Sequence, residues 1–244
     1  MVNSESTKLD ILAIAAHRDD VEITCGGTII KMVDNGKKAG ILDLTQGEMG
    51  TKGTAEDRER EADDAAKIIG LSFRRNLKLP DSAVEVNREN KLKIARVIRD
   101  TQPELVILPF WMQRHPDHLY AMQLGYDACY LAGLKKLGID GNGEPFRPRK
   151  IIYASSFRDV RHSFYVDITD QFDRKLEAVR AYKSQFDGSQ QSKEIFKPGV
   201  DIFTYMSVSA MHYGHQVGVK YAEAFTVKEN ILIDDPLSMP VKSI

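Results

Sequence analysis

The sequence predicts one α/β domain of the Rossmann-like class: a mostly parallel sheet with helices on both faces and a metal site at the carboxyl ends of its strands. Three observations carry this. Apolar runs at Ile11–Ala16, Gly40–Leu44 and Leu105–Leu108, with a more polar one at Phe73–Leu79, alternate with longer helix-patterned stretches, the signature of strand and crossover helix. The first and fourth runs each open into a turn rich in His and Asp, His17-Arg-Asp-Asp20 and His115-Pro-Asp-His118. Doubly wound sheets commonly place the first and fourth strands side by side, and ligands bind in the crevice at their carboxyl ends. His17 and His118 are thereby expected to meet although 101 positions separate them.

The elements follow in order. After the first strand, Val21, Ile29, Ile30 and Val33 recur at spacings that face a sheet, and Gly36 stops the helix. Gly26-Gly27 sit where that helix would pack closely on its strand. The strand at 40–44 leads into a loop, Thr45–Gly53, whose three glycines match neither the GxGxxG nor the GxxxxGK[ST] nucleotide pattern. Thr54-Ala-Glu-Asp57 starts a charged helix that runs to Gly70. A turn at Pro80-Asp81 and a helix from Asn87 to Asp100 precede the fourth strand. Pro116 suits a first helical position, and the segment to Leu137 reads as helix. Residues 138–149 read as a loop at the rim of the site, 151–155 and 164–168 as strands, and 170–186 and 200–218 as helices joined by the polar stretch 187–193.

The 244 residues are read as a single domain, 1–244, and 42% apolar composition supports a sizeable core. Lys and Arg number 34 against 35 Asp and Glu, without long blocks of one sign, which excludes a nucleic-acid stripe or a polybasic membrane anchor. No apolar run approaches the roughly 18 residues of a membrane span, and Met1–Asp10 is polar rather than a signal peptide. The expected location is cytoplasmic. Cys25 and Cys129 are too few for a disulfide framework or a CxxC site and read as reduced, buried thiols.

Imidazole nitrogen and carboxylate oxygen suit Zn²⁺, and a catalytic zinc takes three protein ligands while leaving a position for water. His17 and Asp20 are three apart, as are His115 and His118, so each pair can point one way from an incipient helical turn. The two turns supply three ligands with acid–base groups to spare. Of the other histidines, His162, His212 and His215 lack a carboxylate at ligand spacing and read as surface or packing residues, while Tyr182, Tyr205 and Tyr213 read as core or rim residues.

Several stretches together resemble one family. Ala16-His-Arg-Asp-Asp-Val-Glu22 with Gly26-Gly-Thr28, Gly47-Glu-Met-Gly-Thr51, Arg58 followed by Glu61, and His115-Pro-Asp-His118 resemble the zinc-dependent LmbE/PIG-L N-acetylglucosamine deacetylases. Leu79-Pro-Asp81, Arg114, Ala181–Phe186 and Gly218–Phe225 resemble its bacillithiol-biosynthesis branch, which acts on N-acetylglucosaminyl-malate. The resemblance implies one Zn²⁺ per chain on His17, Asp20 and His118, with Asp19 as general base. It further implies a protonated His115 at the oxyanion, with Asp117 orienting its ring. Arg58 and Asp81 match positions that hold sugar hydroxyls, and Arg114 is a candidate for the malate carboxylate, since guanidinium grips carboxylate bidentately. Small-molecule N-acetylglucosaminyl substrates and a homo-oligomer are the implied partners. The chain departs from many relatives at Arg18, a long cation expected to narrow the entrance or recruit an anion, and at Gln113, where some carry tyrosine. Alternatives are deacetylation of another N-acetylglucosamine conjugate or a chitooligosaccharide, a metal phosphoesterase, and a non-enzymatic sugar-binding module with a structural metal.

Overall fold

The computed structural model of the chain describes residues 8–139, 143–155, 160–186 and 200–241. In chain order the elements are β1 (Ile11–Ala15), α1 (Asp20–Asp34), β2 (Ala39–Thr45), α2 (Ala55–Ile69), β3 (Phe73–Leu79), α3 (Arg88–Thr101), β4 (Leu105–Pro109), α4 (Pro116–Ala132), β5 (Lys150–Ala154), β6 (Phe164–Asp167), α5 (Phe172–Arg180), α6 (Ile202–Val217) and β7 (Ala222–Thr226). All seven strands join one sheet in the order β3-β2-β1-β4-β5-β7-β6. β1 pairs in parallel with β2 on one side and β4 on the other, so Leu12 faces both Gly40 and Val106. The predicted adjacency of the first and fourth strands therefore holds.

The central strands are apolar throughout because both faces are covered. Leu12, Ile14, Leu42, Leu44, Val106 and Leu108 point to one side and pack on Ile94 and Ile98 of α3 and Leu124 and Ala128 of α4. Ile11, Ala13, Ala15, Ile41 and Ile107 point to the other and meet Ile29 and Ile30 of α1 and Ala62, Ala65 and Ile69 of α2. The two-residue side-chain period divides each strand between two cores.

Local chemistry sets the helix ends. The Thr54 hydroxyl accepts from the Asp57 amide at 3.1 Å while the Asp57 carboxylate accepts from the Thr54 amide at 2.9 Å, a reciprocal capping box. Pro116 opens α4 behind His115, and Gly70 and Gly218, at φ 86° and 75°, close α2 and α6.

Where the structure departs from the sequence expectation, a tertiary contact is responsible. α1 is interrupted at Cys25 (φ −142°, ψ 17°). Its second half starts afresh, with the Gly27 and Thr28 amides donating to Glu223 at 2.9 and 2.7 Å. Glu223 stands in β7, a strand the sequence reading missed because a carboxylate interrupts its short apolar pattern. β7 runs antiparallel to both β5 and β6, which makes the sheet mixed at that edge. Gly27 does pack closely, but on Ile168 rather than on β1; a Cβ there would lie 2.7 Å from the Ile168 Cδ1.

α4 ends at Ala132, not Leu137, because Arg99 draws the carbonyls of Ala132 (2.9 Å), Leu134 (2.9 Å) and Leu137 (3.3 Å) away from helical bonding. The described part of the loop after it, 143–149, packs at the amino end of β4, with Arg149 donating to the Glu104 carbonyl at 3.1 Å, and is no rim of the site. The helix expected at 170–186 is a 3-10 turn at Thr169–Gln171 followed by α5, after which the chain unwinds to Phe186. The polar stretch 187–193 and the rest of its connection to 199 lie outside the described residues.

Candidate active site

The turns after β1 and β4 meet over the carboxyl edge of the sheet. His17 Nδ1 lies 3.1 Å from His118 Nε2, and His118 Nε2 lies 3.2 Å from Asp20 Oδ1. His17, Asp20 and His118 each present a ligand atom to one small volume. These atoms face one another, and two imidazole nitrogens and a carboxylate oxygen form an N,N,O set suited to a divalent cation. A second group, His17, His115 and Asp117, also clusters, but its atoms are committed elsewhere. The Asp117 Oδ2 accepts from the Ser82 amide at 2.7 Å, and His115 Nδ1 accepts from the Asp117 amide at 3.2 Å.

Electrostatics favour a cation at the first group. Burial alone would disfavour charge on His17, yet Asp20 and Asp81 outweigh it and raise its pKa to about 10. Burial likewise opposes ionisation of Asp20, but His118 and His17 hold its carboxyl well below the usual range. The negative field that favours a proton on His17 favours a metal ion in its place.

Asp81, expected to hold a sugar hydroxyl, lines the cavity and is itself bonded within the chain. One carboxylate oxygen lies 3.0 Å from His17 Nε2 and the other accepts from the Met49 amide at 2.9 Å, bringing its pKa to about 2 against the opposing effect of burial. A carboxylate on the far nitrogen of a ligand histidine fixes the tautomer and turns the other lone pair inward. Asp81→Asn is therefore expected to weaken metal affinity about 10- to 100-fold while leaving the fold intact, measured by chelator competition with circular dichroism alongside.

Asp19 lies beside the triad. Its Oδ2 is 3.4 Å from Arg58 Nη2, and Arg58 Nη1 also donates to the Gly47 carbonyl at 3.4 Å. Burial pushes the Asp19 carboxyl up to about 6, with Arg58 opposing and Asp20 reinforcing. Burial, with His17 and His118 nearby, holds His115 below its usual range, and because Nδ1 accepts the Asp117 amide, Nε2 is the ring atom placed to donate. The predicted orienting role of the Asp117 carboxylate thus passes to its backbone amide.

Arg114 and Gln113 line the same cavity, of about 270 Å³, as do Arg58 and Asp81. Arg18 does not reach it: the side chain is buried and its Nη1 donates to the Ala55 carbonyl at 3.0 Å, tying β1's turn to α2. Cys25 and Cys129 are buried, and burial raises both thiols. His162 stacks edge-on against Tyr165 and Tyr213, and His212 is paired with Gln216, packing and surface roles as expected.

Sequence reasoning gave no site role to Gln185 and Phe186, which also line the cavity. It also passed over a buried network just below. There Arg74 binds both oxygens of Asp43, at 2.9 and 3.0 Å, and Glu22 at 2.6 Å, and the Tyr182 hydroxyl donates to the same Glu22 oxygen at 2.8 Å. The only available signal was charge inside otherwise strand-like or helix-facing positions.

Such a triad with a further acid beside it, on the carboxyl edge of an α/β sheet, defines a metal-assisted hydrolytic enzyme. Residues 12–129 match the family described as PIG-L, GlcNAc-PI de-N-acetylase. The diacetylchitobiose deacetylase of Thermococcus kodakarensis is 32% identical over 233 residues, covering 91% of this chain and 84% of that protein. Solved structures are similar as well. The conserved protein TT1542 from Thermus thermophilus has a TM-score of 0.82 at 39% identity over 94% of this chain and 99% of that one. The N,N'-diacetylchitobiose deacetylase from Pyrococcus horikoshii has a TM-score of 0.76 at 28% identity over 88% of this chain and 82% of that one. The chain belongs to the PIG-L/LmbE family of N-acetyl sugar deacetylases.

Proposed function

We propose that the protein is a zinc-dependent hydrolase that removes acetyl from the nitrogen of an N-acetylglucosaminyl conjugate. The observation that carries this is the convergence of His17, Asp20 and His118 with Asp19 and His115 at one cavity. His17, Asp20 and His118 would hold one Zn²⁺ per chain, which when bound acidifies water and polarises a carbonyl. Asp19, held by Arg58, takes the proton from the attacking water. The neutral His115 then supports the negative carbonyl oxygen through its Nε2–H, in place of the protonated ring expected from the sequence. With a pKa near 6, Asp19 is also the better group to pass that proton to the departing amine.

N-acetylglucosaminyl-malate is the leading substrate, with a place in bacillithiol biosynthesis, a reading supported by Arg114 in the cavity lining, since a guanidinium grips carboxylate bidentately. A chitooligosaccharide is the second reading, favoured by the Thermococcus relative. Acetate release should occur with the purified protein, disappear on chelation and return with zinc. Among conjugates carrying malate, inositol or a second sugar, the malate compound should turn over best, and Arg114→Ala should weaken it alone. Equal loss for all three would remove Arg114 from aglycone recognition.

The Asp19 value also sets a pH limb. A base must be ionised, so kcat/KM should fall about tenfold per unit below the Asp19 pKa. That limb should lie at or below about pH 6, because positive charge at the triad moves it downward. A limb at pH 7 or higher in a pH–rate profile would contradict the assignment.

A further inference from the structure

Gln185 is 8% exposed and lines the cavity over the triad. Its amide nitrogen donates to the Lys52 carbonyl at 2.8 Å and to Ser184 Oγ at 3.1 Å. Ser184 is itself fixed, its amide and hydroxyl both donating to Glu61 at 2.6 and 2.7 Å. Because a carbonyl can only accept, the atom on the Lys52 carbonyl must be Nε2, which leaves Oε1 as a fixed acceptor. Among the described residues no donor is bonded to it. Oε1 lies 3.9 Å from the point that a Cβ on Gly50 would occupy, and Arg58 Nη1 lies 3.3 Å from that same point. With the Gly47 carbonyl oxygen 3.1 Å from that point as well, the Oε1 acceptor and the cationic donor of buried Arg58 stand close together at the cavity wall beside Gly50.

We propose that Gln185 Oε1 accepts a hydrogen bond from a ring hydroxyl of the N-acetylhexosamine, near Arg58 at the cavity wall, and so selects a sugar over a simple acetamide. The inference rests on the deacetylase reading and adds to it a substrate-binding residue. Physically, a site built to bond a hydroxyl strongly rejects the analogue that lacks it, because the acceptor, once covered by the sugar, is then left unpaired.

The test measures equilibrium binding by the zinc-loaded Asp19→Asn protein, which need not turn over, of N-acetylglucosamine and its 3-, 4- and 6-deoxy analogues. Gln185→Leu and Gln185→Glu both lose the tether to Lys52, but only the second keeps an acceptor. Gln185→Leu should weaken N-acetylglucosamine about tenfold and abolish the penalty for one deoxy analogue, whereas Gln185→Glu should retain that penalty. Equal behaviour of the two variants, or no deoxy penalty with Gln185 present, would overturn the proposal. If the Asp19→Asn protein binds none of the sugars while the unsubstituted enzyme releases no acetate, the deacetylase reading falls and this inference with it.

Discussion

Asp19→Asn should lower kcat/KM for acetate release by about 10³-fold while metal content and folding stay unchanged. Asn is nearly isosteric, so the cavity keeps its shape, and the triad of His17, Asp20 and His118 is untouched. What disappears is the one carboxylate beside the triad whose pKa, near 6, lies close to neutrality. The variant also separates two roles that Arg58 would otherwise blur. Arg58 stands 3.4 Å from Asp19 and buttresses the Gly47 carbonyl, so replacing it would disturb the loop as well as the base. Metal analysis and acetate release on the same preparation give the answer. Loss of activity with loss of metal would make Asp19 a ligand, and retained activity would remove it from the chemistry.

The main layout was legible in the sequence because it rests on local signals. Apolar runs closed by His/Asp turns located β1 and β4, and doubly wound topology then brought His17 and His118 together without any knowledge of contacts. Thr54, Asn87 and Pro116 marked helix starts because caps act within one turn. What stayed hidden depends on distant partners. The antiparallel β7 was obscured because its Glu223 is kept for a tertiary purpose, accepting from the Gly27 and Thr28 amides and from Lys175 at 2.6 Å. Arg18 read as a cation near the entrance, since nothing local reveals that its guanidinium turns to α2. Asp81 read as a sugar contact, since only the folded arrangement shows both its oxygens occupied. Each of these polar groups has a partner in a distant part of the chain that no local pattern reveals.

Replacing Arg74 with Met should destabilise the protein by about 3–5 kcal/mol at pH 8. Arg74 sits in β3, and its guanidinium is the shared partner of Asp43 in β2 and Glu22 in α1, both all but fully buried. Taking it away leaves two carboxylates facing each other without a cation, and only the Tyr182 hydroxyl remains on Glu22. Burial already raises the Asp43 carboxyl, and Arg74 is the main opposing influence. In the variant its folded-state pKa should therefore climb further above the unfolded value. A raised folded-state pKa means that the native state binds the extra proton, so the variant gains stability as pH falls and loses it as pH rises through that value. Urea denaturation at pH 5.5 and pH 8 should show the deficit of Arg74→Met shrinking at the lower pH. A deficit independent of pH would mean that Arg74 contributes by packing its alkyl stem between α1, β2 and β3. The prediction also bears on catalysis, because Glu22 lies on the first turn of α1, two residues from Asp20. Slack in this network should reach the metal ligands before it reaches the rest of the sheet, so metal affinity in Arg74→Met should fall at urea concentrations too low to unfold the domain.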